Sequence, residues 1–285
     1  MATRYKFERL DGLCEAGGAV NEDVVGFAVA GGWVIDGATG VMGVQTLPGR
    51  SDAAWFADRM DRALRVEIDE ATRSIEILQK AVAAVAADFA AASTRPDAAT
   101  TEKPSASLAM VRLMQHEIEQ TVLGDCSILR MGPDGSVGSF GHSGVTALDR
   151  ELVDELVHLR AAGASSSDIA ARILQMERRI RSKMNSEDGY WILDTEGKGI
   201  KSSLVRRDPA LPNSFFLILS DGFRRLVDTY HAHDDESLIR SAVETGLPAL
   251  YEELRNIEAD DPEAISFPRI KRRDDASALL LLVSS

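Results

Sequence analysis

Short apolar runs between turn signals predict β-strands in several groups along the chain. The expected strands cover residues 24–30, 33–36, 107–113, 117–123, 127–131, 136–140, 190–193, 200–205, 215–219 and 278–283. Gly31-Gly32 is a turn signal between the first two runs, and Pro133-Asp134-Gly135 is another within the group 107–140. That group predicts an antiparallel meander.

Longer amphipathic stretches between these groups predict helices. Apolar residues recur every three or four positions from Leu64 to Phe89, and Ser51-Asp52 before them is a candidate helix N-cap. This stripe has two interpretations: the seam of a dimeric coiled coil, or one or two helices lying on a sheet. Further helices are expected over 148–159, 167–180 and 235–255.

Strands in groups with helices between them favour a layered α+β fold over a βαβ repeat. No composition shift marks a linker, so we expect one domain over residues 1–285. The chain carries 45 acidic and 32 basic residues, a formal charge of −13. This balance argues against binding to nucleic acid or to an anionic membrane, although bound cations could still attract an anionic substrate.

The cysteine content and the first residues of the chain predict the cellular compartment. Cys14 and Cys126 are too few for a disulfide framework, which favours a reducing cytoplasmic setting. The first residues contain no apolar core of a signal peptide, and no apolar run approaches the roughly 20 residues needed to span a bilayer.

Acidic residues stand at the ends of apolar runs far apart in the sequence. Asp36 follows the run 33–35, Asp221 follows 215–219, and Asp274 precedes 278–283. Each alone could be a turn residue or a solvated charge. If the strand ends converge, two carboxylates about 4 Å apart repel by roughly 4 kcal/mol at an effective dielectric constant near 20. Convergence therefore predicts a divalent-metal site.

Five motifs, taken in order, make the chain similar to a known family. It resembles the type 2C metal-dependent serine/threonine protein phosphatases over about residues 8–284, through Asn21-Glu22-Asp23, Val34-Ile35-Asp36-Gly37, Gly124-Asp125-Cys126-Ser127, Leu219-Ser220-Asp221-Gly222 and Asp274-Asp275-Ala276-Ser277. The resemblance implies a four-layer αββα sandwich, in which two antiparallel sheets are flanked by helices. It also implies a phosphoric monoester hydrolase.

The resemblance implies a role for each acidic residue. Asp36 is expected to bridge two metal ions, and the Gly37 carbonyl and Glu22 to bind them as well. Asp221 and Asp274 are the other expected ligands. Asp23 is expected to accept a hydrogen bond from metal-bound water, and Asp125 to join Asp221 at a third, weaker metal. Oxygen ligands fit Mn²⁺ or Mg²⁺, and a water bridging the two ions would attack phosphorus directly. Cys126 is interpreted as a packing residue.

Two departures from the family pattern affect substrate binding. Gly18 stands where an arginine usually grips the phosphate, and Ala38 stands where many members have a histidine. Arg4, Arg9, Arg50 or an arginine on a helix are the candidate replacements for the arginine. The expected substrate is a phosphoserine or phosphothreonine protein, or a small phosphomonoester. The alternative is a weakly active or inactive phosphatase-like binding protein. His142 is either a proton donor or a surface-loop residue; the oligomeric state is left open.

Overall fold

The computed structural model describes residues 5–141 and 144–285. Within them are eleven β-strands: β1 Lys6–Glu15, β2 Asp23–Ala28, β3 Gly31–Gly37, β4 Ser105–Met114, β5 Glu117–Leu123, β6 Ser127–Met131, β7 Val137–Gly141, β8 Leu193–Asp194, β9 Leu204–Pro209, β10 Phe215–Leu219 and β11 Ala276–Ser284. The same residues form seven α-helices: α1 Asp52–Glu67, α2 Ser74–Ala92, α3 Gly144–Ala161, α4 Ser166–Arg181, α5 Asp221–Asp228, α6 Asp235–Thr245 and α7 Leu247–Asp260.

The strands build two antiparallel sheets. One has the order β1-β11-β10-β6-β7, and the other has the order β2-β3-β4-β5-β9 with β8 paired to β4. The side chains that alternate along β11 show how the two sheets stack. Leu279 and Leu281 pack between the two sheets with Val34 and Ile218, whereas Leu280 packs under α5, α6 and α7. A strand buried on both faces reads as a continuous apolar run, as this one does.

Helices α1 and α2 cover the outer face of the other sheet. Leu64, Ile77 and Leu78 are fully buried there against Trp33 and Ile35. The layers are therefore helix, sheet, sheet, helix, which confirms the predicted α+β sandwich. The apolar stripe of residues 64–89 is covered by the sheet of its own chain, so the dimeric coiled-coil interpretation is wrong.

The first hairpin turns two residues earlier than predicted. Val29-Ala30 form the turn, and Gly31 and Gly32 lie inside β3. A Cβ on Gly31 would stand 2.4 Å from the Val111 carbonyl oxygen, and one on Gly32 would stand 2.5 Å from Leu279. The glycine pair therefore allows close packing between strands and between sheets, which is a different use of glycine from turning the chain.

The predicted meander over residues 107–140 is divided between the two sheets. β4 pairs with β5 in one sheet, and β6 pairs with β7 in the other. The chain crosses from one sheet to the other at Gly124, which has φ +93° and whose Cβ would stand 2.1 Å from the Ser107 hydroxyl. Glycine tolerates both constraints. The crossing leaves Asp125 at the edge between the sheets.

Some elements differ from the predicted ones. β1 and α5 were not predicted; residues 198–202 form a 3₁₀ turn before β9; and the helix expected over 235–255 is broken at Gly246, with φ +85°. α3 and α4 form a separate hairpin with its own small apolar cluster of Leu152, Leu156, Ile173 and Met176.

Across the described residues, none of the helices combines the length and the apolar character that crossing a bilayer requires.

Candidate metal centre

Asp23, Asp36 and Asp125 meet at one end of the two sheets. Asp23 and Asp36 are register partners across β2 and β3, so their side chains leave the same face of the sheet. Asp125 follows β5, and its amide donates to the Ser107 hydroxyl at 3.3 Å. One ligand atom from each of Asp36, Asp125 and Cys126 lies within 4.8 Å of the others. Strand pairing thus brings together residues that are about 90 positions apart.

Asp221 and Asp274 reach the same place from β10 and β11. Asp221 is the first residue of α5, where the partial positive charge of the helix end favours a carboxylate. Its carboxylate lies within hydrogen-bonding reach of Asp36. A Cβ on Gly222 would stand 1.9 Å from the Asp275 carbonyl oxygen, so glycine is needed for the two segments to approach. Ser220 and Ser277 fasten them further through two hydrogen bonds of 2.9 Å.

The carboxylates raise one another's pKa. Burial and the charges of Asp23, Asp221 and Asp125 hold the pKa of Asp36 well above its ordinary value. Burial and neighbouring carboxylates raise the pKa of Asp23 to about 8 and that of Asp125 to about 6. The pKa of Asp221 is raised by burial and by Asp274. Like charges in a partly dehydrated site disfavour ionisation in this way.

Two oxygens in the cluster are buried without a partner. Asp23 Oδ2 and Asp125 Oδ1 accept no hydrogen bond from the part of the chain that the structure describes. Unpaired buried carboxylate oxygens are costly and are typical of positions where a cation or a water binds. The donor set is carboxylate oxygen, which suits Mg²⁺ or Mn²⁺. The residues present therefore fit a divalent-metal centre.

Cys126 contributes no ligand to this interpretation. It is fully buried in the layer between the sheets. Burial and the adjacent aspartates raise the pKa of its thiol well above the ordinary value. A thiol held in its protonated form is a poor metal ligand and a poor nucleophile. Its expected role as a packing residue agrees with this environment.

Glu22 lies beside the cluster, and hydrogen bonds orient its carboxylate. The hydroxyls of Thr39 and Ser51 donate to its two oxygens. Ser51 is also the N-cap of α1, as predicted, and accepts from the Ala54 amide at 3.2 Å. The Glu22 carbonyl accepts from the Gly37 amide at 3.2 Å. A Cβ on Gly37 would stand 2.5 Å from that carbonyl, so glycine is required here.

Asp275 positions the loop that carries Glu22. Its two carboxylate oxygens accept from the amides of Gly17 and Glu22, each at 2.7 Å. The second aspartate of the pair Asp274-Asp275 is thus a positioning residue, while the first faces the cluster. The structure brings Asp23, Asp36, Asp125, Asp221 and Asp274 together, with Glu22 and Gly37 alongside. Their individual roles as ligands stay predictions.

Two cavities that share lining residues open over the carboxylates. The smaller, about 200 Å³, is lined by Asp36, Asp125, Asp221 and Asp274 and is bordered by Tyr190. The larger, about 870 Å³, shares Asp125, Asp221 and Asp274 and extends between α3, α5 and residues 266–271. The α3–α4 hairpin forms one wall of both cavities. Pockets of several hundred cubic ångströms are typical of ligand sites.

Three charged residues near the carboxylates were not named by the sequence interpretation, which allowed only for an unspecified helix-borne arginine. Arg225 donates to Asp274 Oδ2 at 2.7 Å, and Lys271 donates to Asp274 Oδ1 at 2.8 Å. Asp149 of α3 is an exposed residue that lines both cavities. The run Lys271-Arg272-Arg273 directly before Asp274 was a usable signal for Lys271. Asp149 had no such signal.

Of the candidate replacements for the missing arginine, a helix-borne one, Arg225 of α5, contacts Asp274, whereas Arg9 and Arg50 do not line the cavities over the carboxylates. Arg9 donates to the Gly12 carbonyl on β1, and Arg50 is exposed. Arg4 and His142 lie outside the described residues. A Cβ placed on Gly18 would have no heavy atom within 4 Å, so this position opens onto free space.

No protein-family profile matches the sequence, and no curated protein matches it significantly. Solved structures do match. The serine/threonine phosphatase PstP/Ppp of Mycobacterium tuberculosis aligns with TM-score 0.59 and 14% identity, over 99% of this chain and 100% of that one. The PstP catalytic domain in complex with two manganese ions gives TM-score 0.57, 14% identity and coverage of 99% and 100%. Staphylococcus aureus Stp1 gives 0.53 and 10%, over 100% and 97%.

These similarities extend over the whole length of both chains, although sequence identity is low. They confirm the fold that the five motifs implied. The chain has the fold of the bacterial metal-dependent serine/threonine phosphatases of the type 2C kind.

Proposed function

We propose that the protein is a divalent-metal-dependent phosphatase that hydrolyses phosphoserine or phosphothreonine in proteins. The observation that carries the proposal is the cluster of five aspartates, which distant segments bring to one cleft, with two buried oxygens that have no partner among the described residues. A cluster of this kind needs cations. The shared fold with phosphatases, one of them solved with manganese, supports the choice of reaction.

We assign the ligands as the motif resemblance implies. Asp36 would bridge two ions, with Asp221 and Asp274 on the first ion, Glu22 on the second and the Gly37 carbonyl on one of them. Asp125 would join Asp221 at a third ion. Mn²⁺ or Mg²⁺ held there would activate a water for direct attack on phosphorus and stabilise the phosphoryl oxygens.

The remaining residues would shape and orient the centre. Asp23, buried beside Asp36, would accept a hydrogen bond from a water in the centre. Thr39 and Ser51 would hold the Glu22 carboxylate in a fixed orientation. Asp275 would hold the backbone of the loop that carries Glu22. Such supporting hydrogen bonds commonly control metal affinity.

The test is hydrolysis of p-nitrophenyl phosphate and of a phosphothreonine peptide, with Mn²⁺ and with chelator. We expect manganese-dependent turnover that Asp36→Asn lowers about a thousandfold, since a metal supplies several kcal/mol of transition-state stabilisation. The matched control is Asp58→Asn, because Asp58 is an acidic residue on α1 that pairs with Arg62 away from the cluster. The control should keep wild-type rates.

The alternative is a phosphatase-like protein that binds a phosphorylated partner without hydrolysing it. The glycine at position 18, open to free space, is the observation that favours it. Manganese binding by calorimetry separates the two functions. Wild-type protein that binds manganese but hydrolyses neither substrate would favour the binding protein, and protein that binds no manganese would overturn the phosphatase.

A further inference from the structure

Two cationic side chains hold the same carboxylate at the edge of the candidate metal centre. Lys271 Nζ donates to Asp274 Oδ1 at 2.8 Å, and Arg225 Nη2 donates to Asp274 Oδ2 at 2.7 Å. Lys271 comes from the loop before β11, and Arg225 lies one helical turn after Asp221 on α5. Both oxygens of an expected ligand are therefore occupied by cations of the chain itself.

The side chains of Arg225 and Lys271 differ in how tightly their surroundings hold them. Arg225 is 12% exposed, donates to the Lys271 carbonyl at 3.3 Å and lies 3.8 Å from Glu258. It is held from several sides. The Lys271 side chain is 51% exposed and lines both cavities. A lysine with a flexible four-carbon stem can release one acceptor and reach another at low cost.

A phosphate dianion faces a charge problem in this cleft. The cluster holds six acidic residues, counting Glu22, so two divalent ions would leave the carboxylates in excess, and a third ion would only balance them. Asp149 adds a further carboxylate on the wall of the cavity. Electrostatic complementarity to a dianion requires additional positive charge close to the cluster. Lys271 supplies such a charge at the boundary between the small cavity and the large one.

We propose that Lys271 binds the phosphoryl group of the substrate and so takes the part of the arginine that is absent at position 18. The inference rests on the proposed function. Lys271 would have to release Asp274 Oδ1 whenever that oxygen binds a cation, and its ammonium would then be free to donate to a phosphate oxygen. The 870 Å³ cavity on its other side gives room for the residues around the phosphorylated side chain.

The test compares Lys271→Met, Lys271→Arg and the control Arg272→Met. Arg272 is the adjacent residue, is 68% exposed and pairs with Glu263, so its removal changes the net charge equally. Calorimetry first gives the Mn²⁺ affinity of each variant. Inorganic phosphate is then titrated into each protein saturated with Mn²⁺, and its inhibition constant against p-nitrophenyl phosphate is measured beside kcat and KM.

We expect Lys271→Met to weaken phosphate binding about ten- to a hundredfold, because a charge-assisted hydrogen bond contributes roughly 1.5–3 kcal/mol. KM should rise more than kcat falls. Manganese affinity should be kept or increased, since a competing cation is removed. Lys271→Arg should restore phosphate binding to within a few-fold of wild type, and Arg272→Met should leave it unchanged.

Three results would overturn the inference. One is unchanged phosphate affinity in Lys271→Met, and another is a manganese-loaded wild type that takes up no phosphate. The third is loss of manganese binding in Lys271→Met, which would make Lys271 a residue that only positions Asp274. Failure of the proposed function looks different, because the wild type would then bind no manganese or, having bound it, would hydrolyse neither substrate.

Discussion

The protein buries acidic side chains in several places, and two of these places treat the charge in opposite ways. Glu119 in β5 is 1% exposed, and Arg112, Arg207 and Ser74 all donate to its carboxylate. Burial alone would raise its pKa, but these donors lower it below the ordinary value. In the aspartate cluster, burial and mutual repulsion raise the pKa of Asp23, Asp36 and Asp125.

The contrast separates a structural charge from a functional one. Glu119 is neutralised by its own chain: Arg207 Nε and Arg112 Nη2 lie 2.8 Å and 3.0 Å from its oxygens. The cluster keeps two buried oxygens without a partner among the described residues. Burial of an acidic residue alone therefore does not distinguish a structural charge from a ligand site. What indicates a ligand site is burial together with missing counter-charge.

The largest expected effect on stability comes from breaking the self-neutralised group. Glu119→Gln leaves the fully buried Arg112 without a counter-charge, and breaking a buried pair typically costs 3–5 kcal/mol. Urea unfolding in the absence of metal should show a loss of this size. Glu117→Gln is the matched control, because Glu117 is an exposed residue of the same strand and should change stability by less than about 0.5 kcal/mol.

Glu119→Gln should leave the manganese affinity of the protein unchanged. Glu119 belongs to the sheet under α2 and does not line either cavity over the carboxylates. Folded Glu119→Gln protein should therefore bind Mn²⁺ with wild-type affinity. A loss of manganese affinity at unchanged stability would reverse the assignment of the two groups.

The second prediction concerns manganese and pH. The folded-state pKa of Asp125 is about 6 and that of Asp23 about 8, against about 3.9 in an unfolded chain. Without metal, the folded state binds more protons over this interval, so these groups make stability fall as pH rises from about 4 to about 8. Metal binding needs the deprotonated carboxylates and should strengthen over the same interval.

Manganese should therefore raise the unfolding temperature more at pH 8 than at pH 5.5. At a concentration a hundredfold above the dissociation constant, the stabilisation is about 2.7 kcal/mol. Differential scanning fluorimetry with and without Mn²⁺ at the two pH values measures the difference. Asp36→Asn should lose the shift at both, whereas Glu117→Gln should keep it. Equal shifts at the two pH values in wild type would contradict proton competition at the cluster.

Much of this arrangement was visible in the sequence, because the strands that carry the aspartates are buried on both faces. Continuous apolar runs marked β10 and β11 closely, and Asp221 and Asp274 were identified from their ends. β1 was missed because Lys6–Glu15 alternates weakly and contains charged residues. Its strand conformation comes from pairing with β11, with a register shift between Arg9 and Asp11.

The features that the sequence did not predict depend on contacts between distant segments of the chain. α5 has only eight residues, too few for a clear helical period, and its Arg225 meets Asp274 from 49 positions away. The switch of sheets at Gly124 looked like an ordinary turn within a meander, since a turn signal does not tell which strand the chain will pair with next. Tertiary pairing decides both features.

The smallest expected effect is also the one that distinguishes the two groups most directly, because its sign is opposite. Asp36→Asn in the absence of metal should stabilise the protein at pH 8, by an amount on the order of 1 kcal/mol. If Asp36 is ionised there, the variant removes repulsion with Asp23, Asp125 and Asp221; if it is protonated, the variant removes the cost of taking up a proton. The asparagine amide can still donate to Asp221.

Urea unfolding of metal-free Asp36→Asn at pH 8 and at pH 4 measures this effect, with Asp58→Asn as the control that removes a charge elsewhere. The gain should shrink at pH 4, where an unfolded aspartate is itself about half protonated. If the variant is less stable than wild type at pH 8, Asp36 is a structural charge that the fold requires, as Glu119 is. A gain at pH 8, beside the loss in Glu119→Gln, would show that the fold bears a cost at this cluster that only a bound cation offsets.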